Sequence, residues 1–187
     1  MDFNSIVCFD TEFIFDKEHK LPIEVSFVSN DSDANFNCYI IPKSKNDITY
    51  RFYHYTGIDY AYLLKNGAKK SKAYKDINNY FKKQYKNKIF IGWDIVNDLK
   101  VFNMILNPFR IRKSKIKFID LSHIYKSIKG DKTLKSLNKV CEEYNLSCDH
   151  WHDSNYDCKM VLELFKKLIE EYGEDKIMNN NYSKIRK

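Results

Sequence analysis

The stretch Ile6-Val7-Cys8-Phe9-Asp10-Thr11-Glu12-Phe13 decides how the rest of the chain is read. It is an apolar, β-prone run that ends by placing two carboxylates two residues apart. In a strand, side chains at i and i+2 leave the same face, so Asp10 and Glu12 project side by side from the end of a buried strand. Two like charges a few ångströms apart in a partly desolvated place repel unless a proton or a cation sits between them. For an isolated Asp-x-Glu the plain alternative is a strand running into an acidic loop, and the remaining sequence has to decide between the two.

Outward from that strand, Pro22 to Ser29 and Ala34 to Ile41 read as two more strands, and polar turns at 17–20 and 30–33 make the three an antiparallel meander. Lys43 to Tyr53 reads as loop. Asp59 is the expected N-cap of a short helix from Tyr60, which Asn66-Gly67 stops. Ser71 opens a longer helix, with Ala73, Ile77, Tyr80, Phe81 and Tyr85 near the 3.6-residue spacing. Lys88 to Trp93 is a short buried strand. Asp94 is the expected cap of a helix to about Leu106, ended by Pro108, with Ile95, Leu99, Phe102 and Leu106 inward. Lys117 to Asp120 is a last strand and leads into a helix over Leu121 to Ile128. After Gly130-Asp131 come a helix striped by Leu134, Leu137, Cys141 and Tyr144, a polar loop over 147–153, and a long helix. Ser154 is its expected cap, Tyr156, Met160, Leu164 and Leu168 its inner face, and Gly173 its end. This order predicts one α/β domain over residues 1–173, a mixed sheet of meander plus parallel strands with helices on both faces, and a polar, flexible tail over 174–187. In such sheets functional groups gather at strand ends.

Composition bounds the reading. The chain has 187 residues, 43% of them hydrophobic, which suits a single domain with a full core. A formal charge of +7 and a pI near 9.0 favour an anionic partner without naming one. No apolar run approaches the ~18 residues needed to span a bilayer, and Met1-Asp2-Phe3-Asn4 lacks the features of a secretory signal, so no membrane role and a cytoplasmic location are expected. Five cysteines with no Cys-x-x-Cys pair read as reduced, packed thiols and argue against a zinc site.

Two further acids matter. Asp98 falls in the first turn of the helix after the fourth strand, and Asp157 in the first turn of the last helix. Singly, each is well explained by the helix dipole, which stabilises acids at N-termini. In order, though, Asp10-x-Glu12, then Gly92 with Asp98-Leu99-Lys100-Val101-Phe102, then His152 five residues before Asp157 resemble the three motifs of the DnaQ-like 3′ to 5′ exonucleases, which carry four acids and a histidine. Pro22-Ile23-Glu24-Val25, Thr56-Gly57-Ile58 and Ile119-Asp120-Leu121 are similar to further family segments, and the likeness spans about residues 5 to 172.

The resemblance implies a ribonuclease H-like fold and a two-metal site. Asp10, Glu12, Asp98 and Asp157 would be the metal carboxylates and His152 the general base; Thr11, Phe13, Thr56, Gly57 and Ile58 would meet the substrate. Oxygen ligands select Mg²⁺ or Mn²⁺ over zinc, and two such ions ~3.5–4 Å apart suit phosphodiester hydrolysis. The implied substrate is single-stranded DNA or RNA with a free 3′ end, cut into nucleoside monophosphates either by a free-standing enzyme or by a partner of a DNA polymerase. A degenerate member that binds nucleic acid or protein without cutting is the alternative. Phe13-Ile14-Phe15 replaces the small residues usual after the first motif, Trp93-Asp94 replaces a His-Asn pair, and Asn97 replaces the aromatic usual before the second-motif acid. His150 competes with His152 for the base role, and the family spacing selects His152.

Overall fold

The computed structural model describes residues 2–16, 19–84, 88–106, 117–147 and 152–179. Strand β1 (Ile6–Asp16) pairs antiparallel with β2 (His19–Val28), which pairs antiparallel with β3 (Phe36–Ile41). The chain then forms α1 (Tyr50–Thr56), α2 (Tyr60–Asn66), the two-residue strand β4 (Ala68–Lys69) and α3 (Lys70–Gln84). Next come β5 (Ile89–Gly92), α4 (Val96–Leu106), β6 (Phe118–Asp120), α5 (Leu121–Lys129), α6 (Leu137–Glu143), α7 (Ser154–Tyr172) and α8 (Glu174–Met178). The sheet order is β4-β3-β2-β1-β5-β6, with β5 parallel to both β1 and β6. The predicted meander is therefore present, and β1, the strand of the paired acids, lies near the middle.

The period of two along β1 sorts its residues between two cores. Ile6 and Cys8 face the side packed by α5, α6 and α7, among Tyr125, Val140, Leu164 and Phe165. Val7 and Phe9 face α3 and α4, in a layer dense in aromatics that includes Phe27, Phe81, Phe90 and Phe102. The same alternation carries Asp10 and Glu12 onto the α7 side and Thr11 onto the α4 side. A third, smaller cluster of Ile14, Ile23, Phe52, Ile58 and Leu63 fastens α1 and α2 beneath the β1–β2 pair.

The structure differs from the expectations at several boundaries. Residues 50–53 are helical rather than loop, because Thr49 caps α1 by accepting from the Phe52 amide at 3.1 Å and Phe52 anchors it in the third cluster. Leu134 lies outside α6 and is partly exposed. Asp153, not Ser154, is the N-cap of α7, and the helix buries Cys158, Val161 and Leu162 in place of Tyr156 and Met160. The segment from 174 is not a loose tail at its start: residues 174–178 form α8, whose fully buried Ile177 belongs to the α7-side core. Residues 180–187 and, with them, Tyr85, Pro108, Cys148 and His150, lie outside the described residues. Cys8 and Cys158 are buried free thiols and Cys38 is a half-buried one, as the composition suggested; Cys141 is buried.

Candidate active site

Three elements deliver the acids to one place. β1 supplies Asp10 and Glu12 midway along its length rather than at the expected strand end, just past its last pairing with β5 at Cys8 and before a bulge between Glu12 and Phe13 that shifts its register with β2. Helix α4 supplies Asp98. Its approach is set by Gly92, where a Cβ would fall 2.1 Å from Ile95 Cγ2 and 3.0 Å from the Phe9 carbonyl oxygen, so the turn out of β5 admits no side chain. The expected cap Asp94 instead takes the left-handed conformation at φ +51°, and the amides of Asp94 and Ile95 donate to the buried Asp120 at the end of β6, at 3.2 Å each. Asp120 also accepts from the Ser122 amide and hydroxyl, so one carboxylate ties down the starts of both α4 and α5. Helix α7 supplies Asp157. Fully buried Glu24 on β2 accepts from the Ser154 amide at 3.2 Å and from Asn37 Nδ2 at 2.7 Å, and Ser26 Oγ meets Ser154 Oγ at 2.5 Å. This buried network seats the first turn of α7, and with it both His152 and Asp157.

Ligand atoms of Glu12, His152 and Asp157 all lie within 4.8 Å of one another. His152 adopts φ +60°, and its half-exposed ring places Nδ1 3.7 Å from Glu12 Oε1. Tyr55 holds the other side of that ring edge-on, with centroids 5.4 Å apart. Asp98 is buried and accepts from the Thr11 hydroxyl at 2.6 Å. Beside Asp10 and Asp157 opens a cavity of about 260 Å³, lined also by Trp93, Ser136 and Asn138.

The electrostatics are those of crowded like charges. Burial, then Asp98, Glu12 and Asp157, push the Asp10 carboxyl well up. Burial raises Glu12 while His152 opposes it. Burial pushes Asp98 up to about 7 against the Thr11 hydrogen bond, and burial with Glu12 does the same for Asp157. Hydrogen bonding to Glu12 raises His152. Asp157 Oδ1 is buried with no hydrogen-bond partner. An orphaned carboxylate oxygen among four acids, with oxygen donors dominating, is what a hard divalent cation fits.

All five residues expected to carry chemistry thus converge around the middle of β1. Those expected to meet substrate fare differently. Thr11 is buried and turned to Asp98. Thr56 donates to the Phe52 carbonyl and accepts from the Ile58 amide, Gly57 is the left-handed cap of α1 at φ +69°, and Ile58 is buried in the third cluster. Phe13 packs against the α4-side core, whereas Phe15 is 66% exposed. The part of Asp120 in holding α4 was missed, because its donors lie 25 and 26 residues away and leave no local pattern. The contact of Tyr55 with His152 was visible only as proximity to the Thr56-Gly57-Ile58 loop.

The fold is shared with known structures. The chain superposes on cell-death related nuclease 4 with a TM-score of 0.73 at 17% identity, over 91% of this chain and 65% of that one. The nuclease domain of 3′hExo, described as a DEDDh family member bound to rAMP, gives 0.72 at 14% identity, over 92% and 95%. E. coli exonuclease I in complex with a dA16 oligonucleotide gives 0.71 at 12%, over 89% of this chain but only 41% of that one. These likenesses show the shared ribonuclease H-like fold. No curated protein matches the chain in sequence. The model of the exonuclease family RNase_T, however, matches residues 7–165, which include every acid and the histidine of the site, and the chain belongs to this DnaQ-like exonuclease family.

Proposed function

We propose that the protein is a metal-dependent 3′ to 5′ exonuclease that releases nucleoside 5′-monophosphates from single-stranded DNA or RNA. The observation that carries this reading is the convergence of Asp10, Glu12, Asp98 and Asp157 beside the middle of β1, with His152 Nδ1 3.7 Å from Glu12. Asp10, Glu12 and Asp157 would hold one Mg²⁺ or Mn²⁺ and Asp10 with Asp98 a second. Such ions supply an activated water and neutralise charge on the leaving oxygen. His152 takes the proton from the attacking water, Tyr55 and Glu12 orient its ring, and Thr11 aims Asp98. Water adds to phosphorus, the bond to the 3′-oxygen of the preceding nucleotide breaks, and that oxygen leaves with a proton from solvent. The oligonucleotide seated on the similarly folded E. coli exonuclease I supports a single-stranded substrate. With every acid and the histidine retained, a non-cleaving binder is the weaker reading, and a polymerase partner is compatible with the same site. No helix among the described residues is long and apolar enough to cross a membrane.

The test is incubation of 5′-labelled DNA and RNA of one sequence with Mg²⁺, Mn²⁺ or chelator. A ladder shortening from the 3′ end, absent with chelator, is expected. Metal-independent cleavage, or cleavage only within the strand, overturns the reading.

A further inference from the structure

Beyond the bulge after Glu12, β1 and β2 continue as a two-stranded arm in which Phe13 faces Pro22, Ile14 faces Leu21 and Phe15 faces Lys20. Ile14 is buried and belongs to the third core cluster. Phe13 and Phe15 stand on the opposite side, their rings edge to face at 5.6 Å. The Lys20 ammonium lies 4.4 Å from the Phe13 ring centre and 5.5 Å from that of Phe15. It donates to Asn97 Oδ1 at 2.5 Å, which ties the arm to α4 one residue before Asp98. Among the described residues Lys20 makes no ion pair; Lys100 lies close enough to lower its pKa further, after burial, while Asp98 opposes. A partly desolvated cation, bonded to a neutral amide and next to a ring that is 66% exposed, suits a phosphate with a base attached.

The chemistry of the site says which phosphate. His152, Glu12 and Asp157 bring ligand atoms within 4.8 Å of one another, whereas Asp98, held by Thr11, lies outside that group. In-line displacement sends the leaving oxygen away from the attacking water. With the water at the His152 end, the leaving 3′-oxygen and the strand it belongs to depart past Asp98, where Asn97 holds Lys20. We propose that the arm and the start of α4 form an upstream nucleotide subsite, in which Lys20 Nζ takes the phosphate next to the scissile one and Phe15 stacks on the adjoining base. This rests on the exonuclease reading and adds to it the residues that select a polynucleotide over an isolated nucleotide ester. The bulky Phe13-Ile14-Phe15 run and Asn97, which depart from the family pattern, then belong to one device.

The experiment compares Lys20→Ala, Lys20→Arg and Phe15→Ala on a 5′-labelled oligothymidylate and on the p-nitrophenyl ester of thymidine 5′-monophosphate, which has no upstream phosphate. For Lys20→Ala, KM on the oligonucleotide should rise about tenfold, the worth of one charged hydrogen bond, with hydrolysis of the ester unchanged. Its log affinity against log salt should be shallower by about 0.7, the slope of one phosphate contact on a single strand. Lys20→Arg should restore both. Phe15→Ala should weaken oligonucleotide binding about fivefold or more at an unchanged melting temperature. Equal losses on both substrates would place Lys20 at the reacting phosphate and overturn the subsite, as would no loss on either. If the wild type cleaves neither substrate, the exonuclease reading fails instead. The subsite is then judged by fluorescence anisotropy of the same oligonucleotide in Ca²⁺, where equal affinity of wild type and Lys20→Ala refutes it and a tenfold loss upholds it.

Discussion

Asp120 and Glu24 lie deeper than Asp10 and Glu12 midway along β1, and their hydrogen-bonding surroundings differ. Asp120 is met by the amides of Asp94, Ile95 and Ser122 and by the Ser122 hydroxyl. Glu24 is met by the Ser154 amide and Asn37. Such donors offset the loss of water, although burial still raises the Glu24 carboxyl above its ordinary value. Around Asp10 and Asp157 the neighbours are other carboxylates, and Asp157 Oδ1 has no partner. The molecule thus carries one set of acids that holds helix starts in place and another that is left in conflict with itself. The first set positions the second: Asp120 holds α4 and therefore Asp98, and Glu24 holds α7 and therefore Asp157 and His152.

The sharpest way to break this contrast is to delete one acid from each set. Asp10→Ala should reduce cleavage to background while the metal-free protein melts at an unchanged or higher temperature, since a repelling charge is gone. Normal cleavage by Asp10→Ala would sink the site assignment. Removing the base should come next: His152→Ala is expected to lower kcat by about 10²–10⁴ while leaving metal affinity nearly intact. A parallel loss of metal affinity would make His152 a ligand rather than a base, and a larger effect from His150→Ala would move the base to that residue. Asp120→Ala should do the converse of Asp10→Ala. It strands several buried amides and should cost about 2–3 kcal/mol, read as a melting temperature lower by roughly 5–10 °C. An Asp120→Ala protein as stable as wild type would show that the cap is not what holds α4.

The smallest effect is on pH dependence, and it sharpens the comparison most. Asp98 and Asp157 are pushed from the ordinary 3.8 up to about 7, chiefly by burial. The native state keeps protons that the unfolded chain gives up, so their contribution to stability is whole below pH 3.8 and is lost as pH rises through about 7. The melting temperature of the metal-free protein should therefore fall across that window. Asp157→Asn should flatten the fall, and Mg²⁺ at about 100 times its Kd should add roughly 2.7 kcal/mol at the upper end. A metal-free stability that climbs from pH 4 to about pH 7 would mean that these acids are ionised and satisfied in the metal-free fold.

The candidate site residues were legible in the linear sequence because each motif is local. The period of two puts Asp10 and Glu12 on one face, and first-turn positions put Asp98 and Asp157 at helix starts. The mixed sheet was legible for the same reason, since turn residues and hydrophobic spacing are short-range signals. What failed was where an outcome turned on a distant contact. Asp94 reads as a helix cap, and Asp120 takes that place. Residues 50–53 read as loop, and Phe52 draws them into a helix beneath the sheet. Ile177 turns the start of a polar tail into α8. Thr11 and Ile58 read as substrate contacts but are buried, one against Asp98 and one against Leu63 and Phe52.

By itself, then, the sequence determined which four acids and which histidine are the candidates and the order of the strands and helices apart from α1, β4 and α8, because spacing along one chain encodes which side chains share a face. Only the tertiary structure decided that Phe15 rather than Phe13 is open to solvent, that Lys20 bridges the β1–β2 arm to Asn97, and that His152 stands 3.7 Å from Glu12. Those pairings join residues 77 and 140 positions apart. No local propensity reaches so far; the packing of β1 between two cores does.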